Sequence, residues 1–383
     1  MFVRVPSSAT VDQRRSRRVN EKMNLTKDGK FFQPSTERSL NTSGRTGTLA
    51  RLLRPMRLCV ALTMTFSVPG FSQVINPPPR PAPSPTWTEL DLSFAPSARL
   101  AASMAFDPVS GKLILFGGFD GNKFLSDTWT FDGQSWTKVE VAQPPHGRTV
   151  AGMAYDAVSK KVVLFGGWMG TAVLGDTWLW DGATMTWTRA HPLHSPLAAA
   201  GVLLFRDPNG AVDEFGGWDP HHNPKLYYGD MWQWNGSDWV QLHPATVPYA
   251  RAYATVGVNE ITNQVVMFGG LTENIDSRNT WVYDGVTWTM QPHQLQPPDV
   301  AYGAAMFSQT FNGVVQFGGT AAGISKSSSY LWVGYAWKLL PITERPLPRW
   351  GAASAYDPLL GHAVLFGGAY RGTVLNDTWE LTE

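Results

Sequence analysis

A Phe-Gly-Gly tripeptide recurs six times, its last glycine falling at Gly118, Gly167, Gly217, Gly270, Gly319 and Gly368. Successive intervals are 49, 50, 53, 49 and 49 residues. So regular a period makes each repeat one supersecondary unit, which buries its apolar faces against its neighbours and not in a core of its own.

Each repeat carries the punctuation of four strands. Tryptophans follow the Gly-Gly at Trp129, Trp178, Trp232, Trp281, Trp332 and Trp379, and further tryptophans follow these at Trp136, Trp187, Trp239, Trp288 and Trp337. Between the two lies a turn such as Asp132-Gly133, Asp181-Gly182, Asn235-Gly236 or Asp284-Gly285, whose residues tolerate the positive φ of a tight hairpin. Upstream of Gly-Gly sit two more strand-like runs, in the first repeat Leu100 to Phe106 and Lys112 to Phe116, parted by the turn residues Asp107 to Gly111. Four strands in a repeat of about 50 residues make one blade of a β-propeller. The expected fold is therefore all-β, with six blades.

The sixth repeat stops at Glu383, too soon after Trp379 for a fourth strand. Trp87-Thr88-Glu89-Leu90 matches Trp136-Thr137-Lys138-Val139, so an N-terminal strand is expected to complete the last blade and remove its free edge. One propeller domain is expected over residues 87–383.

This motif set resembles the kelch superfamily. An arginine opens the first strand of four blades, at Arg99, Arg148, Arg251 and Arg349, but Ala199 and Val300 replace it in the third and fifth. The aspartate two residues before the third-strand tryptophan is Asp127, Asp176, Asp230 and Asp377, and becomes Asn279 and Tyr330 elsewhere. One residue type recurring with the blade period answers a structural need, so these arginines and aspartates read first as loop clamps. The repeated tryptophans read as packing between blades. Galactose oxidase is a related resemblance, but its copper site needs a cysteine cross-linked to tyrosine. The only cysteine here, Cys59, precedes the propeller.

The first 86 residues differ in kind. Residues 1–57 hold 13 Lys or Arg against 4 Asp or Glu, while the remainder is net acidic, so the formal charge of +1 averages two unlike parts. Residues 1–57 read as a basic low-complexity extension, with Met56 an alternative start. The short apolar run Leu58 to Val68, followed by small residues to Ser72, reads as a signal-peptide region over 58–72. A Pro-rich linker is expected over 73–86. Export to the periplasm or cell surface follows as an expectation, with a monomer and without a transmembrane segment in the mature chain. The acidic propeller argues against nucleic acid.

No cofactor is expected. His221 and His222 lack a third ligand at metal-site spacing, and neither a phosphate loop nor a nucleophile elbow is present. If strands run outward from the axis, the residues after each Gly-Gly and those entering each first strand share one face, the expected ligand face. On it fall Phe119, Asp120, Trp168, Trp218, Asp219, His221, His222, Glu273, Tyr370, Arg371 and Trp350, with Arg99, Arg148, Arg251 and Arg349. Aromatic planes beside charged groups suit a protein or a carbohydrate ligand.

Glu214 is the anomaly, standing where other repeats have Leu115, Leu164, Met267, Gln316 and Leu365. An acid there is either structurally paired or a general acid or base facing the channel. Three functions are compatible with these residues. The resemblance implies a binding scaffold. A second reading is a cofactor-independent, carbohydrate-active propeller like the kelch-type sialic acid mutarotases, with Glu214 catalytic. The third is a structural or adhesive envelope module.

Overall fold

The computed structural model describes residues 85–221, 226–273, 277–292, 297–298 and 300–382. The divisions read for residues 1–84, and His222, lie outside them. Strands and turns make up the described residues, with no helix.

Six antiparallel four-stranded sheets follow one another along the chain. The first blade comprises Ser103–Asp107, Lys112–Phe116, Thr128–Phe131 and Trp136–Val139. The next four keep this order, beginning with Gly152–Asp156, Leu203–Arg206, Thr255–Asn259 and Ala304–Ser308. The sixth joins Ala353–Asp357, His362–Tyr370 and Thr373–Thr382 to Thr86–Glu89, in a register that sets Trp87 opposite Leu381. Each first strand packs against the first strands of both neighbouring blades, and that of the sixth meets that of the first. The first strands therefore line the axis of a closed ring.

Second strands have both faces covered by other blades, which is why they read as unbroken apolar runs such as Leu113-Ile114-Leu115-Phe116. Apolar side chains form one buried layer per blade interface, six in all. The fourth-strand tryptophan of one blade donates its indole N–H to the hydroxyl that opens the third strand of the preceding blade. Trp136 reaches Thr378 at 2.9 Å, Trp187 reaches Thr128 at 3.0 Å, Trp239 reaches Thr177 at 2.9 Å and Trp337 reaches Thr280 at 2.8 Å. Trp87 serves the last interface through Ser329 at 3.0 Å. Only at the interface of the third and fourth blades is this bond missing, because Met231 replaces the hydroxyl and leaves the buried Trp288 Nε1 unpaired.

The axis is closed at one end by backbone alone. Val150 donates its amide to Ala101, Gly201 to Val150, Tyr253 to Gly201, Tyr302 to Tyr253, Gly351 to Tyr302 and Ala101 to Gly351, at 2.6–3.0 Å. This cycle holds all six residues at positive φ, including the β-branched Val150 at 52°. Over it lie the buried rings of Phe119, Trp168, Trp218 and Trp350.

Candidate functional site

At the other end the axis is open. A cavity of about 570 Å³ runs between the first strands and is walled by residues of all six blades, among them Met104, Met153, Leu204, Val256, Ala305 and Ser354. Its volume is that of a small-molecule or side-chain pocket. One position per blade, immediately before the Asp, Asn or Ser at which the first strand gives way to its turn, forms its mouth: Phe106, Tyr155, Arg206, Val258, Phe307 and Tyr356. Arg206 is the only charged member, and its Nη2 donates to Glu260 at 2.5 Å. Phe307 meets Tyr356 edge-on at 4.9 Å.

The turns around this mouth have a shared construction. Asp107, Asp156, Asp207 and Asp357 are buried, and each accepts amide hydrogens from the turn that follows it. Asn259 does the same in the fourth blade. Because the aspartate satisfies the turn backbone, the turn tips are free to carry apolar side chains. Val109, Val158, Ile261 and Leu359 stand 42–71% exposed around the opening. Burial pushes the Tyr155 hydroxyl up, with Asp107 and Asp156 adding to it; burial, Glu260 and Asp357 do the same to Tyr356.

The loop face expected from the sequence is built differently. Its residues do share one end of the ring, but most are structural. Arg99 grips both carboxylate oxygens of Asp127 at 2.7 and 2.9 Å and the Gly117 carbonyl at 3.0 Å, while Trp129 donates to the same carboxylate at 2.7 Å. Arg148 with Asp176 and Arg349 with Asp377 repeat this clamp. All four arginines are buried, and so are Phe119, Trp168, Trp218 and Trp350 at 5–6% exposure. They cap the amide cycle and present no face to a ligand. Trp218 donates its indole N–H to the Tyr253 hydroxyl beneath it.

The accessible members of that face are engaged locally. Asp120 accepts the amides of Asn122 and Lys123 at 2.8 and 2.9 Å. Asp219 accepts the His221 amide at 2.8 Å, and the His221 ring lies 5.4 Å from Trp168. Arg371 rests over Tyr370 at 5.2 Å, and Glu273 is exposed. No group of three His, Cys, Asp or Glu among the described residues is arranged to hold a metal.

Glu214 does not face the channel. It sits one strand out from the axis, opposite Leu204 on one side and Trp232 on the other, and is 2% exposed. Its Oε2 has no hydrogen-bond partner. Burial pushes its carboxyl well above the usual range, and Asp230 and Asp213 add repulsion. Asp213 beside it is pushed up to about 8 by burial and by Asp207, even though Gln233 donates to it at 2.9 Å. Glu214 does not line the cavity, and its burial disfavours the charged form.

The mouth escaped the sequence reading because its six positions share no residue type. A usable signal existed in the hydrophobic turn tips Val109, Val158, Ile261 and Leu359, where turn chemistry favours polar residues.

A closed ring of six four-stranded blades around an axial cavity defines a six-bladed β-propeller. Residues 83–244, spanning the Trp87 strand and the first three blades, match the family model of the KLHDC2/KLHL20/DRC7 Kelch-repeats domain. Among solved structures, the one titled "Structure of YjhT" superposes with a TM-score of 0.61 at 16% identity, covering 76% of this chain and 97% of that chain, a likeness of fold. No curated protein sequence matches. The kelch-repeat match thus covers residues 83–244, and the six-bladed propeller fold continues through the remaining described blades. No helix among the described residues is long and apolar enough to cross a membrane.

Proposed function

We propose that this propeller is a binding scaffold that takes a protein segment at the open mouth of its axial cavity. The observation that carries the reading is the cavity wall of methionine, leucine and valine side chains with Leu359 at its edge, beside turns that expose Val109, Val158 and Ile261 next to the lining residues Pro108, Ala157 and Glu260. An exposed apolar patch around a concave site is the usual mark of an interaction surface. A glycan needs many hydrogen-bonding groups for its hydroxyls, and the side chains lining the cavity that carry them, Tyr155, Arg206, Glu260, Ser354 and Tyr356, are outnumbered by apolar ones. Catalysis by Glu214 forms no part of the proposal. Export is part of it, supported by the residues Leu58 to Ser72, and N-terminal sequencing of the secreted protein tests it by finding a start beyond Ser72.

The binding experiment compares peptide and glycan arrays probed with the wild type, with Ala305→Trp, which fills the cavity, and with Tyr370→Ala/Arg371→Ala on the loop face. Peptides retained by the loop-face variant and lost by Ala305→Trp support the proposal. Glycan binding, or peptide binding lost only in the loop-face variant, overturns it.

A further inference from the structure

We propose that the mouth selects a basic side chain, a lysine or arginine presented by a protein partner between apolar residues; this rests on the reading of the mouth as the binding site. Four of the six equivalent mouth positions are aromatic, Phe106, Tyr155, Phe307 and Tyr356. The faces of such rings attract cations, and more strongly where water is excluded.

The charges behind the rings have the same sense. In four blades the mouth residue is followed at once by a buried aspartate, and those carboxylates accept only from backbone amides and uncharged side chains. Asp107 takes the amides of Val109 and Ser110 and the Ser110 hydroxyl, and Asp156 is bonded in the same way by Val158 and Ser159. Asp207 takes Asn209, Ala211 and Gln233, and Asp357 takes Leu359 and Leu360. The basic groups opposite these aspartates act elsewhere, Lys112 on Asp132, Lys161 on Asp181 and His362 on Glu380. The resulting negative potential is felt at Tyr155 and Tyr356, whose hydroxyls the carboxylates help to push up.

The ring already accommodates one cation of its own. Arg206 occupies a mouth position and is held by Glu260, which is therefore placed to act as counter-ion for a second basic group. Below the ring, Met104, Met153, Leu204 and Val256 offer an apolar sleeve for an aliphatic stem. Outside it, Val158, Ile261 and Leu359 are exposed to apolar residues flanking the basic one. That outer contact assigns the cation to a protein and not to a free amine.

The test titrates the full chain with acetyl-Ala-Leu-X-Leu-Ala-amide peptides in which X is lysine, norleucine or glutamate, and with free n-butylammonium. The lysine peptide is expected to bind at least ten-fold more tightly than the other two and than butylammonium. Arg206→Met, which removes the competing cation, should tighten it several-fold, and Glu260→Gln should weaken it similarly. Should Arg206→Met not fold, Tyr155→Leu should erase the preference of lysine over norleucine. Equal binding of the norleucine peptide overturns the charge selectivity and leaves the mouth as the binding site. Tightest binding of the glutamate peptide, lost in Arg206→Met, reverses the sign of the inference. Butylammonium binding as tightly as the lysine peptide overturns the protein partner, and no binding by any peptide sinks this inference and the proposed function together.

Discussion

Arg251 donates its Nη1 to the side-chain oxygen of Asn279 at 2.9 Å, where the other three clamped blades offer a carboxylate. The guanidinium is buried with its Nη2 unpaired, and burial alone pulls it down to about 10. Asn279→Asp should complete the two-pronged grip seen between Arg99 and Asp127 and stabilise the fold by about 1–3 kcal/mol. The existing clamp aspartates Asp127, Asp176 and Asp377 are held below the usual carboxylate value by their arginines, despite partial burial. A depressed folded pKa adds stability above the unfolded value and loses it as pH falls. The gain in melting temperature should therefore be full at pH 7 and shrink below about pH 4. A variant that melts below the wild type at pH 7 contradicts the clamp.

Two tryptophans that look alike in the sequence should respond differently. Trp239 and Trp288 are both fully buried in their interfaces, but only Trp239 donates its N–H, to Thr177. Replacing either with phenylalanine removes similar packing. Trp239→Phe also strands the buried Thr177 hydroxyl, whereas Trp288→Phe removes a donor that had no partner. Trp239→Phe should be the costlier change by about 1 kcal/mol, read from urea unfolding. Equal costs would show that the indole bond contributes nothing.

The buried acids of the third blade give a pH dependence of opposite sign to the clamps. Asp213, pushed up to about 8, keeps its proton in the folded chain while the unfolded chain loses it near pH 4. Unfolding then releases protons, so stability drops as pH rises from about 4 to about 8. Glu214 acts in the same direction. Glu214→Gln should therefore stabilise the fold, and by more at pH 7.5 than at pH 5. The fifth blade already carries this solution, since Gln316 at the equivalent position donates to the Gly318 carbonyl at 3.0 Å. Denaturant titrations at the two pH values decide it, and a variant destabilised at pH 7.5 would mean that Glu214 has an ionic partner.

What was legible in the chain was whatever recurs. The blade count, the tryptophan layers and the Arg-Asp clamps all repeat with the period, and one residue type at a fixed offset reports one structural need. The open end of the axis does not recur in this way. Ala101, Val150, Tyr253 and Tyr302 adopt the left-handed backbone that seals the opposite end, and only Gly201 and Gly351 among its six positions are glycines, too few to read as a period. Trp168 and Trp218 follow the repeated Gly-Gly and are legible as equivalent positions, but their burial against the backbone cycle leaves no signal in residue type. The mouth positions diverge, from Phe106 to Arg206 to Val258, and carry no period to find.

The sealing cycle can be tested at its two glycines, which share a conformation and differ in surroundings. Gly201 and Gly351 sit at φ values of 66° and 63°, and alanine is evidently tolerated in that role, since Ala101 occupies it at 53°. A methyl group on Gly351 would lie 3.4 Å from the nearest atom, the Ala101 nitrogen, so Gly351→Ala should cost only the left-handed backbone's ~1–2 kcal/mol. On Gly201 it would fall 2.4 Å from the Tyr253 ring. That ring cannot step aside, because it stacks on Tyr302 at 4.2 Å and its hydroxyl accepts from Trp218. Gly201→Ala must therefore displace the amide cycle or the aromatic stack, at an overpacking cost of about 1–3 kcal/mol beyond that of Gly351→Ala. The difference should appear as a melting temperature several degrees lower for Gly201→Ala. If the two variants melt together, the Tyr253 stack is soft and the axis is not sealed by a rigid plug.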